Sequence, residues 1–272
     1  MKEKEFSVSE TVKLSPYNVG SVSRALKLVD HIIGGPHEGL SLTEIVRETQ
    51  GSKSATFALL RTLVEHGYLR TTEPGPRYLP GMTLIRLGDL ASARDPIASV
   101  SRSILNDLSV KTGLTVRIAR NDSGYPVFIE RIDGPGMVRF FTPLGIRELP
   151  HITAVGKAIL AQLSDDEIRD IAAETGLEAR TPKSITTLPK LMTDIRKVRS
   201  RGYAVDNEED AHGVFCVGAA FFDHSGNCAG GISATGIKSD LSVEKELALG
   251  NLVLRHAALI TRALGGQAKK GI

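Results

Sequence analysis

Apolar residues recur every three or four positions through the first part of the chain and then, further on, at every second position. Val22, Ala25, Leu26, Val29, Ile32 and Ile33 mark one helix face, with Ser21 placed as its cap and Gly34-Gly35-Pro36 as its end. Leu42, Ile45 and Val46 continue at helical spacing behind Ser41 and Glu44. Their S-x-x-E spacing is that of a capping box, which satisfies orphan N–H groups at a helix start. Gln50-Gly51 breaks the pattern, and Ser52 is placed to cap a further helix. Leu59, Leu60, Leu63 and Val64 form its inner face, with Phe57 on or beside it, and Gly67 stands where a C′ glycine belongs.

Two short β-like runs follow, Tyr68-Leu69-Arg70-Thr71 and Arg77-Tyr78-Leu79, around the turn-rich stretch 72–76. Residues 84–93 are again helical, Asp95-Pro96 interrupts, and 97–111 resumes with Ile97, Val100, Ile104, Leu105 and Leu108 before Gly113. The period then shortens. Strands are predicted at 115–120, 127–132 and 138–142, with a turn at 121–124. Helices are predicted at 153–163, at 165–175 behind an S-x-x-E box at Ser164 and Glu167, and at 188–201 up to Gly202. Two apolar strands, 214–222 and 229–235, and a helix from 243 to about 264 complete the chain. Strands outside helices, then strands and a helix again, make an α+β layout with a largely antiparallel sheet.

Two amphipathic helices across a short turn containing Gly form a helix-turn-helix pattern. Taken alone, residues 41–66 also fit an ordinary helical hairpin with a solvated face. Ser52, Lys53, Ser54 and Thr56 crowd the start of the second helix, the end that meets base edges in this motif. Lys53 and Arg61 are placed to reach phosphate. The β-hairpin directly after that helix is a wing, flanked by Arg70 and Arg77, and strengthens the DNA-binding reading.

Charge changes this picture only slightly. The chain has 272 residues and a net charge of +3, low for a nucleic-acid binder. Residues 21–80 hold seven Lys or Arg (24, 27, 47, 53, 61, 70, 77) against six Asp or Glu (30, 38, 44, 48, 65, 73), so DNA binding depends on where the cations stand. The length suits two domains. Two cysteines argue against a disulfide framework and fit a reducing cytoplasm. The longest apolar run has nine residues, too few to span a membrane. The mixed-charge N-terminus lacks the apolar core of a signal peptide.

Three stretches make the chain resemble IclR-type transcriptional regulators. The first is Leu40-Ser41-Leu42-Thr43-Glu44-Ile45 with Lys53-Ser54-x-Thr56 and Leu63-x-x-His66-Gly67-Tyr68-Leu69. The second is Ala154-Val155-Gly156-Lys157-Ala158-Ile159-Leu160-Ala161. The third, the most specific, is Gly202-Tyr203-Ala204-Val205-Asp206-Asn207-Glu208-Glu209 with Gly213-Val214-x-Cys216-Val217-Gly218-Ala219, Asp223-x-x-Gly226 and Ile232-Ser233.

The polar, mixed-charge residues 1–20 read as an arm, and the resemblance implies a winged helix-turn-helix domain at 21–82, a linker helix at 83–95 and a GAF-like α+β ligand-binding domain at 96–272. The helix-turn-helix and its wing place the expected DNA contacts at Ser41, Ser52, Lys53, Ser54, Thr56, Phe57, Arg61, Arg70 and Arg77. The resemblance also implies an effector site lined by Val155, Gly156, Asp206, Cys216, Ser233 and Thr235. The partners implied are double-stranded DNA with a pseudo-palindromic operator, a small-molecule carboxylate effector and a second copy of the chain, as a homodimer or a tetramer on DNA. No cofactor, metal or membrane is expected. The chain departs from the family pattern at Ala58, where Arg is common, and at Thr235, where Ser is common.

Plainer readings stand beside these. Cys216 in an apolar strand is the ordinary place for a buried core cysteine. Glu208, Glu209 and Asp210 read as a solvated acidic run, and Ser233 and Thr235 as local backbone partners. A Cys-dependent hydrolase needs a base within reach of Cys216, for which His212 and His151 are the candidates. His151, Asp206, His212 and Cys216 follow no recognised zinc spacing. A metabolite sensor acting through protein association is the remaining alternative.

Overall fold

The computed structural model describes residues 17–49, 51–136, 138–140 and 143–267. The chain divides into two units, Met1–Ala91 and Ser92–Ile272. Most of the expected arm, and Gln50 of the expected turn, lie outside the described residues.

In the first unit α1 (Gly20–Ile33) begins one residue before the predicted cap. The Ser23 N–H already reaches the Val19 carbonyl, so Val19 is the N-cap and Ser21 lies within the first turn. Leu28, Val29 and Ile32 are buried, whereas Val22, Leu26 and Ile33 of the predicted apolar face are exposed. The apolar stripe of α1 is wider than the core of this unit covers.

α2 (Leu42–Thr49) and α3 (Lys53–Glu65) follow as expected. The Ser41 N–H donates to Glu44 Oε2 at 2.7 Å and the Glu44 N–H to Ser41 Oγ at 3.3 Å, closing the capping box. Ser52 Oγ accepts from the Ala55 N–H. Gly67, at φ +71°, takes the left-handed turn that ends α3.

The wing strands β2 (Leu69–Thr71) and β3 (Arg77–Pro80) are joined by β1 (Leu40–Ser41) in a three-stranded sheet of order β1-β3-β2. Two residues are too few to show alternation in the sequence, so β1 was not legible there. Leu28, Ile32, Leu40, Ile45, Leu60, Leu69 and Tyr78 form one core. α4 (Met82–Ala93) carries the chain across the division between units.

In the second unit Asp95 caps α5 (Pro96–Thr112), and Gly113 ends it at φ +69°. The sheet has order β5-β4-β8-β7-β6 and is antiparallel throughout. Its strands are β4 (Thr115–Asp122), β5 (Tyr125–Ile132), β6 (Ala204–Asn207), β7 (Val214–Phe222) and β8 (Cys228–Ile237). Between β5 and β6 lie α6 (Ala154–Leu160), α7 (Asp165–Thr175) and α8 (Leu188–Arg201), and α9 (Val243–Ala263) follows β8.

The strand predicted at 138–142 is absent from Val138–Phe140, while 141 and 142 lie outside the described residues. Arg139 Nη1 donates back to the Gly134 and Gly136 carbonyls, curling this segment on itself. On its other side β5 meets the 145–148 segment, through the bridge of Val127 to Arg147 and the Gly145 and Glu148 N–H groups donating to the Phe128 and Pro126 carbonyls. β6 is four residues long and was not predicted.

Alternation gives the sheet two unlike faces. Val116, Ile118, Val217, Ala219, Ile232 and Ala234 turn to one side and form a core with Leu105, Leu108, Val253 and Ile260 of α5 and α9. The residues between them carry the site.

Candidate functional site

The other face of the sheet is polar where a protein core is usually apolar. Register aligns Asp206, Cys216, Thr235 and Thr115 in one row across β6, β7, β8 and β4. The next row holds Gly218, Ser233 and Arg117. Asp206, Ser233 and Thr235 are each only 1% exposed.

Arg117 is also buried, and its role was missed in the sequence because one Arg in a strand reads as an outward charge. Its Nη2 donates to Thr235 Oγ1 at 2.7 Å and Cys216 Sγ at 3.2 Å, and its guanidinium carbon stands 4.9 Å from the centre of the Phe128 ring. Thr235 Oγ1 in turn donates to Cys216 Sγ at 3.3 Å. The Ser233 hydroxyl has no hydrogen-bond partner among the described residues.

α6 lies on this face because β7 has a glycine beneath it. A Cβ at Gly218 would stand 3.0 Å from Val155 N, so glycine there eases the close approach of the first turn of α6. Val155 is 1% exposed. The Gly156 N–H, expected as an effector donor, is held by Thr153 Oγ1 at 3.0 Å. Gly156 instead permits contact with Pro150, whose Cα and O would lie 2.4 Å from an added Cβ.

Lys157, on the same helix, is completely buried. Its Nζ donates to the Val205 carbonyl at 2.7 Å and Glu209 Oε2 at 2.5 Å, and pairs with Asp194 Oδ2 at 3.0 Å. The acidic run is therefore not simply solvated. Glu209 is buried against Lys157, Glu208 pairs with Lys183, and Asp210 pairs with Arg180. Asp206 Oδ1 accepts from the Glu209 N–H at 2.7 Å and holds this loop. Burial pushes the Asp206 carboxyl up to about 6 and that of Glu209 up to about 7, against the opposing pull of Lys157.

Burial also pushes the Cys216 thiol up to about 12, the reverse of what activates a nucleophile. His212 is exposed. His151 Nε2 lies 2.9 Å from the Glu178 carbonyl, and burial lowers its basicity. Neither forms a dyad with Cys216. Among the described residues no three His, Cys, Asp or Glu side chains come together as a metal site.

In the first unit, Ser52, Lys53, Ser54, Phe57, Arg61 and Arg70 are exposed. Three expected DNA contacts are engaged within the unit. Thr56 is on the buried side of α3. Ser41 closes the capping box. Arg77 Nε and Nη2 donate to the Gly39 carbonyl at 3.0 and 2.8 Å, and Nη2 pairs with Glu44 at 3.1 Å, because β3 places it against β1.

Two family models match this chain. Residues 21–73 match the IclR helix-turn-helix domain, and residues 90–262 match the bacterial transcriptional regulator IclR C-terminal domain. The chain belongs to the IclR family.

The transcriptional regulator XynR of Escherichia coli is 30% identical over 91% of this chain and 98% of its own length. The transcriptional repressor AllR of Escherichia coli is 31% identical over 78% of each chain. The crystal structure of Thermotoga maritima IclR superposes with a TM-score of 0.79 at 31% identity, covering 90% of this chain and 98% of that one. As an IclR-family protein the chain is a DNA-binding transcriptional regulator whose C-terminal domain binds an effector, in a family of regulators and not of enzymes. No described helix is long and apolar enough to cross a membrane.

Proposed function

We propose that this IclR-family regulator is a cytoplasmic repressor. In this reading its homodimer binds a pseudo-palindromic operator and responds to a small organic acid held on the polar face of the C-terminal sheet. The buried guanidinium of Arg117 beside Cys216, Thr235 and the unpartnered Ser233 hydroxyl carries this reading. A buried cation among hydroxyls, next to the first turn of a helix, is chemistry suited to a carboxylate. Val155, Asp206, Cys216, Ser233 and Thr235 line the site, and Arg117 is added to them. Gly156 shapes the site without donating to the effector.

On the DNA side, Ser52, Lys53, Ser54, Phe57, Arg61 and Arg70 face the duplex. The name of AllR, a repressor, supports repression. The acid acts by binding one arrangement of the dimer more tightly than the other; equal affinity for both would change nothing.

Fluorescence anisotropy with the DNA upstream of the protein's own gene tests this reading, at two salt concentrations and with a scrambled control. One fragment bound well above the control, and released by a member of a panel of mono- and dicarboxylic acids, is the expected result. Equal binding to all fragments, collapsing with salt, overturns it.

A further inference from the structure

The first two turns of α3 hold no Arg, Asn, Gln, Asp or Glu, and Lys53 and Ser54 are the exposed hydrogen-bonding side chains there. Guanine is read by Arg or Lys, adenine by Asn or Gln and cytosine by Asp or Glu, whereas the thymine 5-methyl is met by apolar side chains. The first two turns of α3 expose Lys53, Ser54, Ala55, Phe57 and Ala58. Ser54, Phe57, Ala58 and Arg61 share one stripe at i, i+3, i+4 and i+7.

Phe57 is 47% exposed, and the core of its unit is built without it. Arg61 Nε lies 3.1 Å from Glu65 Oε1, an ion pair one turn further from the helix start. Thr62 Oγ1 is turned back onto the Ala58 carbonyl at 3.1 Å. An aromatic ring and two alanine methyls thus stand beside Lys53 and Ser54 at the helix end that enters the major groove.

We propose that α3 selects its half-site through the 5-methyl groups of thymine, with Phe57 as the main contact and Ala58 beside it. This rests on the DNA-binding reading above and names the base chemistry that reading would use. Lys53 supplies attraction to phosphate, and Phe57 and Ala58 supply selection. A thymine methyl buried against the ring is removed from water, and deletion of one buried methyl weakens binding about fourfold.

The test uses the full-length protein and a duplex pool with a randomised central segment. Selected duplexes are then made with thymine or deoxyuridine at each constant thymine, a change that removes only the methyl. The expected result is a half-site with at least one constant T·A pair. Deoxyuridine there should weaken the wild type about fourfold, and Phe57→Ala should bind the two duplexes equally. Phe57→Leu, which keeps an apolar side chain, should retain part of the preference.

Selected sites without a constant T·A pair overturn the proposal. So does equal binding of thymine and deoxyuridine by the wild type, or unchanged discrimination by Phe57→Ala. A pool from which no sequence is enriched overturns the DNA-binding reading itself, and this proposal with it.

Discussion

Arg117 and Cys216 stand on strands that do not pair with each other, yet Arg117 Nη2 reaches Cys216 Sγ at 3.2 Å across β8. The contact places a guanidinium within the row formed by Asp206, Cys216 and Thr235. If this cation binds the effector, Arg117→Gln should weaken the acid that releases the operator by about 30-fold or more, the scale of breaking a buried charge pair. Affinity for DNA without the acid should stay near wild type. Titration of the acid against the protein–DNA complex measures both, and an unchanged acid response would remove Arg117 from the site.

Ser233→Ala separates binding from stability. The Ser233 hydroxyl is buried with no hydrogen-bond partner among the described residues, so its removal should raise stability by about 1 kcal/mol or leave it unchanged. A gain of that size would raise the melting temperature by about 2–4 °C. The same variant should respond poorly to the acid. Thermal melts and operator release test the two halves, and a large loss of stability would mean that the hydroxyl has a structural partner.

Asp206 and Glu209 should make stability fall as pH rises from about 5 to about 8, against a smaller opposite contribution from the buried His151. The carboxyls of Asp206 and Glu209 stand at about 6 and about 7, raised by burial from ordinary values of 3.8 and 4.5. In that window the folded protein keeps protons that the unfolded chain has released, so the unfolded state binds fewer protons and is favoured by rising pH. Carboxyls lowered by their partners, such as Asp165 and Glu208, lose stability only at more acid pH. Urea unfolding at four pH values measures the trend, which Asp206→Asn and Glu209→Gln should flatten.

Lys157→Met should cost about 3–5 kcal/mol, because Glu209 and Asp194 would lose their shared buried cation. The loss should be smaller at pH 5 than at pH 8, since Glu209 takes up a proton there. Urea unfolding midpoints at the two pH values measure this difference. A cost below about 1 kcal/mol at both would mean that α6 does not depend on this cluster.

Lys53→Ala should weaken binding to every DNA sequence and reduce the salt slope by about one. Arg77→Ala should instead destabilise the fold of the first unit, because its guanidinium is held by Gly39 and Glu44. Salt-dependent anisotropy and thermal melts distinguish the two. A lowered salt slope in Arg77→Ala, with stability unchanged, would return Arg77 to the DNA surface.

The helix-turn-helix could be read in the sequence because its signals are local. Ser41 with Glu44, Ser52 before Lys53 and Gly67 after α3 each act within a few residues, and each forms the cap its spacing announces. The long strands and helices of the second unit were legible for the same reason, through alternation in β7 and β8 and helical spacing in α5 and α9. β1 and β6 escaped because two and four residues carry no period, and their partners lie far along the chain. Residues 138–140 show the converse, a β-like composition whose hydrogen bonds go elsewhere.

What the sequence determined alone was the longer elements, the caps at Ser41, Ser52 and Ser164, and the family that its motifs describe. It also placed Asp206, Cys216, Ser233 and Thr235 among the candidate residues. Only the tertiary structure decided which side each polar group faces and what it meets. Arg77 and Thr56 turned inward, Glu209 left the solvent for Lys157, and Arg117 joined the row on the sheet. The physical reason is that local spacing sets backbone hydrogen bonds, whereas burial and charge pairing depend on strand register between residues more than 100 positions apart, as with Arg117 and Thr235.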